Sequence, residues 1–194
     1  VSYVTLSQQP LRLDTVEMTE IVRMVVANLR VTLKTRGGSI DYDQLPSLRG
    51  DRKHMLRLMQ DLVDNALKFV TTESPCVWIT AKECLCIDGE LTAAGEPEAS
   101  RYWLFSVKDN GIGIPSEHHT KIFELFEKLH PRTKYDGTGI GLAACRMIVE
   151  RHGGRIWIES PPNEGTTFFF TLPHHPPYPE EWMTETQWGA MTHE

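Results

Sequence analysis

Three polar residues, Asp61, Asn65 and Lys68, follow one another at spacings of four and three in a segment whose apolar residues predict a helix. At these spacings their side chains lie on one stripe of the helix, beside the apolar stripe that packs into a core. The helix therefore presents polar groups next to its buried face. A solvated amphipathic helix is the alternative that this segment, taken alone, leaves open.

The segment DNGIGIP, residues 109–115, follows an apolar strand and combines a carboxylate with two glycines. Gly111 and Gly113 allow the backbone to turn closely against a ligand. The carboxylate of Asp109, held at such a turn, can accept a hydrogen bond from an exocyclic amine. An ordinary Asp-Asn-Gly turn is the alternative.

The segment GTGIGLA, residues 137–143, places Gly137, Gly139 and Gly141 directly at the start of a predicted helix. Free backbone N–H groups and the helix dipole then face whatever lies there, which favours a phosphate. The segment is not a Walker A loop, because no Gly-Lys-Ser/Thr follows it, and it is not a dinucleotide-binding fingerprint.

Three predicted helices position these segments. Apolar residues at helical spacing predict the first helix at about residues 14–36, with Asp14 or Thr15 as its cap. A second helix begins after its cap, Asp51, and reaches about residue 69. The third helix spans about residues 140–152.

Extended segments alternate with these helices. An extended piece and four strands are predicted at about residues 40–45, 76–87, 102–109, 155–160 and 166–172. A turn is predicted at residues 46–50, and the acidic segment 88–100 is predicted to be an exposed hairpin loop. The last two strands form a hairpin.

Composition restricts the class of protein. A chain of 194 residues with 40% hydrophobic residues can bury one core. Its net charge of −6 provides no basic surface, so we expect no nucleic-acid partner. No apolar run is long enough to insert into a membrane, and four cysteines without CxxC spacing indicate reduced thiols. We expect a cytoplasmic piece of a longer protein, whose remainder could carry a membrane anchor.

Five segments in order resemble the N, G1, F, G2 and G3 boxes of the histidine kinase catalytic domain, in the superfamily of DNA gyrase and related ATPases. They are DLVDNALKF, DNGIGIP, IFELFEKLH, GTGIGLA and NEGTTFFFTLP. We expect a catalytic domain at residues 14–173, a linker or hairpin remnant at 1–13, and a flexible Pro-rich tail at 174–194. The resemblance implies an α/β (α+β) two-layer sandwich of the Bergerat type, with a mixed sheet covered on one face by about three helices and a mobile lid.

The resemblance also implies roles for single residues. Asp109 would accept from the adenine amine, and Gly113 would line the base pocket. Asn65 would coordinate Mg²⁺ through its amide oxygen, Lys68 would neutralise phosphate charge, and Phe69 would border the adenine or ribose. The implied ATP-binding set is Asn65, Lys68, Phe69, Asp109, Gly111, Gly113, Ile114, Phe123, Phe126, Gly137, Thr138, Gly139, Ile140, Gly141, Leu142 and Thr166.

Family members carry a mobile ATP lid between the G1 and G2 boxes. Phe123 and Phe126 match the F box, whose aromatic side chains would anchor that lid against the domain. Plain core packing of both rings is the alternative. Cationic residues of the lid could reach the terminal phosphates or remain solvated; they are Lys128, Arg132 and Lys134.

One residue departs from the family pattern. Most histidine kinases have an asparagine four residues before the magnesium-binding asparagine, where this chain has Asp61. In the gyrase-like ATPases a glutamate at this position is the general base for water. Asp61 could therefore ligate or support Mg²⁺, which we favour, or promote hydrolysis.

The implied enzyme is a protein histidine kinase that uses ATP and Mg²⁺ as cofactors. It would transfer the γ-phosphoryl group to a histidine on a dimerising helical hairpin, with a response regulator receiver domain as a further partner. None of the eight histidines lies in a His-Glu-x-Arg-x-Pro context, so the acceptor would lie outside this chain. An ATP hydrolase or serine kinase of the same superfamily, with Asp61 as general base, is the alternative, as is a binding module without catalysis.

Overall fold

The computed structural model describes residues 9–70, 74–87, 90–92, 100–126, 139–161 and 164–174. Within these residues the α-helices are α1 (Met18–Arg36), α2 (Arg52–Lys68) and α3 (Gly141–Arg151). Two short 3₁₀ turns, Ser116–His118 and Lys121–Phe123, lie between the sheet and α3 along the chain. The second and third helices lie close to their predicted positions.

The strands form one mixed sheet and one small ribbon. Their bounds are β1 (Asp14–Glu17), β2 (Ser39–Tyr42), β3 (Ser47–Gly50), β4 (Cys76–Ile87), β5 (Glu90–Thr92), β6 (Ser100–Asp109), β7 (Ile156–Glu159) and β8 (Thr167–Pro173). The main sheet has the order β2-β4-β6-β8-β7, in which only β2 and β4 are parallel, and β5 pairs with the end of β4. β1 and β3 form the ribbon.

The core lies between one face of the main sheet and the helices. Alternate residues of the central strands are fully buried on that face, among them Val77, Ile79, Phe105, Val107 and Phe170. Their neighbours on the opposite face, such as Trp78 and Lys108, are exposed, as the twofold period of a strand requires. The helices supply the other side of the core through apolar stripes, most fully α2. This arrangement confirms the predicted two-layer sandwich.

The first helix begins later than predicted. Residues 14–17 form β1, which pairs antiparallel with β3, where a turn was expected. Val16 and Leu48 are opposite each other in this ribbon and are both buried. Burial of this pair outweighs the weak helix propensity of residues 14–17. The N-cap position of α1 is therefore Glu17, whose side chain forms no capping hydrogen bond, and neither Asp14 nor Thr15.

Part of the predicted exposed loop is also a strand. Residues 90–92 form β5 and pair with residues 85–87 of β4. Ser100 begins β6, whereas residues 88–89 and 93–99, and the predicted tail beyond His174, lie outside the described residues.

The predicted cap of α2 is confirmed. The Oδ1 atom of Asp51 accepts from the backbone N–H groups of Lys53 at 2.9 Å and His54 at 3.2 Å. Its Oδ2 accepts from the N–H of Arg12 at 3.1 Å, which ties the predicted linker to the domain. Burial alone would raise the pKa of Asp51, but these hydrogen bonds and the neighbouring His54 lower it overall.

Within the described residues, no helix is long and apolar enough to cross a membrane.

Candidate nucleotide-binding site

Asp109 ends β6 and is buried, with 6% of its surface exposed. Its Oδ1 accepts hydrogen bonds from the N–H groups of Gly111 at 2.8 Å and Thr166 at 3.0 Å. Burial raises the pKa of this carboxyl group, and the two amides offset part of the rise. In the described part of the chain nothing hydrogen-bonds to Oδ2, so this oxygen can accept from a ligand.

Two glycines, Gly111 and Gly165, pass close to Asp109. A Cβ at Gly111 would lie 2.8 Å from Asp109 Oδ1, and a Cβ at Gly165 would lie 2.0 Å from the Asp109 carbonyl oxygen. Gly165 also has a φ of +80°, which L side chains rarely adopt. Gly111 was among the predicted site residues and Gly165 was not, although the glycine before Thr166 in the segment NEGTT was a usable signal.

The segment after Asp109 is fixed to its neighbours through the backbone. The N–H of Ile112 donates to the carbonyl of Phe69 at 3.1 Å, which joins this segment to the end of α2. The N–H of Ile114 donates to Ser160 Oγ at 2.7 Å, and its carbonyl contacts His119 Nε2 at 2.9 Å. Gly113 lies between these contacts with a φ of +74°. Ser160 was not among the predicted site residues.

The polar stripe of α2 lies beside the core, as its spacing predicts. Asp61, Asn65 and Lys68 are all partly buried. Asp61 Oδ2 accepts from Arg57 Nε at 2.5 Å, and burial raises the pKa of Asp61 more than this cation lowers it. The ammonium group of Lys68 lies 5.1 Å from the centroid of the Phe69 ring, within cation–π range.

The start of α3 lies next to this stripe. Ile140 occupies the N-cap position and provides no side-chain cap, so the first N–H groups of α3 lack that partner. A Cβ at Gly141 would lie 4.0 Å from Asp61 Oδ2. The fold therefore brings the carboxylate of α2 against the positive end of the α3 dipole. Gly139, with a φ of +71°, makes the turn into the helix.

The two F-box phenylalanines differ in their surroundings. Phe123 is buried and meets Phe168 edge-on, with ring centroids 6.5 Å apart. Phe126 is 71% exposed, so the expectation that both rings pack against the domain is wrong for Phe126. Its backbone has a φ of +66°, and its N–H donates to the Gly139 carbonyl at 2.9 Å.

Several predicted residues fall outside the described residues. They are Gly137 and Thr138 of the glycine-rich segment and the cationic lid residues Lys128, Arg132 and Lys134. The flanking residues Phe126 and Gly139 are joined by their backbone hydrogen bond. Of the remaining predicted residues, Ile114 and Leu142 pack partly against the core, and Thr166 is buried.

A comparison with protein families identifies the fold's relatives. The model of a family described as histidine kinase-, DNA gyrase B-, and HSP90-like ATPase matches residues 50–176. The chain belongs to this family. The matched range includes the polar stripe of α2, Asp109 with its glycines, and the start of α3.

Two relatives are named as a phytochrome and as a sensory kinase. Cyanobacterial phytochrome A of Nostoc sp. is 38% identical over 173 residues, which cover 89% of this chain and 21% of that protein. The adaptive-response sensory kinase SasA of Prochlorococcus marinus is 35% identical over 162 residues, covering 80% of this chain and 38% of SasA. The chain thus spans well under half the length of these curated relatives.

A solved structure corresponds to the chain in extent as well as in fold. The catalytic domain of histidine kinase ThkA has a TM-score of 0.64 and 26% identity, with 85% of this chain and 97% of that domain covered. The chain is therefore similar in fold and extent to an isolated histidine kinase catalytic domain.

Proposed function

We propose that this chain binds Mg-ATP and transfers the γ-phosphoryl group to a histidine on a helical hairpin outside the chain. The observation that carries the proposal is the buried carboxylate of Asp109, which has one oxygen held by two backbone amides and the other available to a donor. A fixed acceptor of this kind suits the exocyclic amine of adenine. The similarity to a histidine kinase catalytic domain supports the choice of nucleotide and of reaction.

The remaining contacts divide between the base and the phosphates. Gly111, Gly113, Ile114, Phe69 and Thr166 surround the base site around Asp109. The N–H groups at the start of α3, with Gly139, Ile140, Gly141 and Leu142, cradle the phosphates, where the helix dipole and the lack of a side-chain cap favour an anion. Phe123 supports the base of the lid from the core.

The donor set on α2 fits a magnesium ion shared with a nucleotide. Magnesium is usually bound by one or two protein oxygens together with phosphates and water, and Asn65 supplies one amide oxygen on the required stripe. Among the described residues, no three or more acidic, His or Cys side chains cluster as metal ligands. Bound there, magnesium would neutralise charge on the transferred phosphoryl group. Lys68 adds a further positive charge from the same helix.

The contacts of Asp61 favour a supporting role for this residue. Its Oδ2 is already paired with Arg57, so that oxygen is poorly placed to abstract a proton from water. Asp61 instead lies beside the start of α3, from where it would support the magnesium site. The hydrolase alternative gains no support from this geometry.

The acceptor histidine belongs to another segment. Of the described histidines, His54 and His152 are buried, with their rings edge-on at 5.8 Å, and His174 stacks on Trp103 at 4.8 Å. His118 and His119 lie in or beside a 3₁₀ turn. None lies on a helical hairpin. We therefore assign residues 14–173 as the cytoplasmic catalytic domain of a longer kinase that hands its phosphoryl group to a response regulator receiver domain.

The test is phosphoryl transfer in trans. The chain is incubated with Mg-ATP labelled on the γ-phosphate and with the separately purified helical hairpin of the parent protein. We expect acid-labile, alkali-stable label on the hairpin and little label on the chain alone. A hairpin with its acceptor histidine changed to alanine and a chain carrying Asn65→Ala are the matched negative controls.

The same assay measures hydrolysis. Steady phosphate release by the chain alone, lost in Asp61→Asn while nucleotide binding is kept, would favour the hydrolase. Nucleotide binding without label on the hairpin would contradict phosphotransfer.

A further inference from the structure

Ser160 follows β7, and its hydroxyl joins the two segments that flank Asp109. Its Oγ lies 2.7 Å from the N–H of Ile114, 2.9 Å from the carbonyl oxygen of Gly165 and 3.1 Å from Thr166 Oγ1. Ile114 and Thr166 are 52 residues apart in sequence (166 − 114), so one side chain connects two distant parts of the site.

These three contacts use the whole hydrogen-bonding capacity of a hydroxyl group. Ser160 donates its proton to the Gly165 carbonyl and accepts from the Ile114 N–H and from the Thr166 hydroxyl. An alanine would leave the Ile114 N–H without this acceptor in a partly buried position. A threonine keeps the same donor and both acceptor positions.

The contacts lead directly to the carboxylate. The N–H of Thr166 donates to Asp109 Oδ1, and the N–H of Asp109 donates to the Thr166 carbonyl at 2.9 Å. Gly165, whose carbonyl Ser160 holds, passes against the Asp109 backbone. A shift of the Gly165–Thr166 backbone would therefore turn the Asp109 carboxylate and displace Oδ2.

On the other side of the site, Ser160 holds Ile114, whose carbonyl also contacts His119 Nε2 at 2.9 Å. Ile114 follows Gly113, whose φ of +74° fixes the turn beneath the proposed base. A Cβ at Gly113 would lie 3.2 Å from Ser160 Oγ, so the hydroxyl is packed directly against this turn. Both walls of the base site thus depend on the same hydroxyl.

We propose that Ser160 is a positioning residue for recognition of the adenine amine, acting through Asp109. The proposal rests on the nucleotide binding proposed above but not on phosphoryl transfer. Its expected signature is a loss of preference for a base that carries the exocyclic amine, because a turned carboxylate no longer meets that group.

The test compares two ligands by titration calorimetry: a non-hydrolysable ATP analogue and the matching purine riboside analogue, which lacks the amine. We expect Ser160→Ala to weaken binding of the ATP analogue by about tenfold, the equivalent of one hydrogen bond. Binding of the amine-free analogue should change by less than about threefold. Ser160→Thr should restore most of the preference.

Ser106→Ala is the matched control, because it removes a hydroxyl pair with Thr80 at 2.8 Å on the opposite face of the same sheet. This variant should bind both ligands as the unmodified chain does. If Ser160→Ala does not fold, Ser160→Cys, which keeps the volume and weakens the hydrogen bonds, replaces it in the same comparison.

An equal loss for both ligands, or no loss for either, would overturn the positioning role. Failure of the unmodified chain to bind the ATP analogue would instead refute the proposed function, and this inference with it.

Discussion

A buried carboxylate usually has partners for both of its oxygens, because an ion removed from water loses solvation that only hydrogen bonds or opposite charges replace. Asp109 has two amide partners on Oδ1, and within the described residues none on Oδ2. No cation is among the causes that set its pKa, which burial raises. This one-sided arrangement suits a residue whose second oxygen meets a ligand.

Asp109→Asn tests this residue without removing its structural contacts. The amide oxygen can still accept from Gly111 and Thr166, but an NH₂ group replaces Oδ2 and meets the adenine amine donor to donor. We expect nucleotide affinity to fall by about 1–3 kcal/mol, measured by titration calorimetry.

The unfolding free energy of Asp109→Asn, from urea denaturation, should stay within about 1 kcal/mol of that of the unmodified chain, because both amide contacts are kept. An unchanged dissociation constant would move recognition of the base to another residue.

The residues that the sequence revealed are those with a local signature. Asp109 and Gly111 stand together after a strand, and their contact spans two residues. Ser160 has no such local signature. Its partners Ile114 and Gly165 lie far apart in the sequence and meet at Ser160 only when β6, β7 and β8 are paired. Phe126 shows the converse error. Its motif suggested packing, whereas 71% of its surface is exposed in the folded chain.

The helix α2 was predictable because its cap, its apolar stripe and its polar stripe all lie within about 20 consecutive residues. The ribbon of β1 and β3 was not predictable, since each strand has four residues and the paired residues lie 30 to 36 positions apart. Short strands have little periodicity of their own. Their stability comes from the pairing, as the buried pair of Val16 and Leu48 indicates.

Asp51→Ala tests the contribution of the cap to α2. The substitution removes the acceptor for the N–H groups of Lys53 and His54 and for that of Arg12. We expect a loss of about 0.5–2 kcal/mol in the unfolding free energy, measured by urea denaturation at neutral pH.

Asp51→Asn is the matched comparison, because its side-chain oxygen can still cap the helix. It should retain most of the stability. Equal stability of the alanine variant and the unmodified chain would show that α2 is held by its core stripe alone.

At the scale of the whole molecule, the site exists because the sheet and two helices bring distant segments together. α2 supplies the polar stripe, β6 supplies Asp109, the residue before β8 is Thr166, and α3 supplies the anion-binding end. A buried contact fixes the two helices to each other: His152 Nε2 accepts from the N–H of Asp51 at 3.1 Å. Its Nδ1 lies 2.7 Å from the Ile148 carbonyl, so the neutral ring carries its proton on Nδ1.

This contact predicts an acid-sensitive fold. Burial lowers the pKa of His152 from 6.5 to about 4, because the charged ring would be removed from water. Protonation of Nε2 would also leave the Asp51 N–H without its acceptor. Between these two values the unfolded chain binds a proton that the folded chain does not. The stability contributed by the neutral ring is therefore complete above about pH 6.5 and is lost as the pH falls toward about 4. Burial also lowers the pKa of His54, which acts in the same direction.

We expect the unfolding free energy to fall by an amount on the order of 3 kcal/mol across this window because of His152, beyond the effect of the carboxylates. Urea denaturation in steps from pH 7.5 to pH 4 measures this fall.

The variant His152→Gln keeps an acceptor for the Asp51 N–H but does not titrate. It should be less stable at neutral pH, and its unfolding free energy should decline less steeply as the pH falls. His118→Gln, at a more exposed position, is the control for replacing a histidine by glutamine. If the unfolding free energy of the His152→Gln variant declines as steeply as that of the unmodified chain, groups other than His152 cause the acid sensitivity.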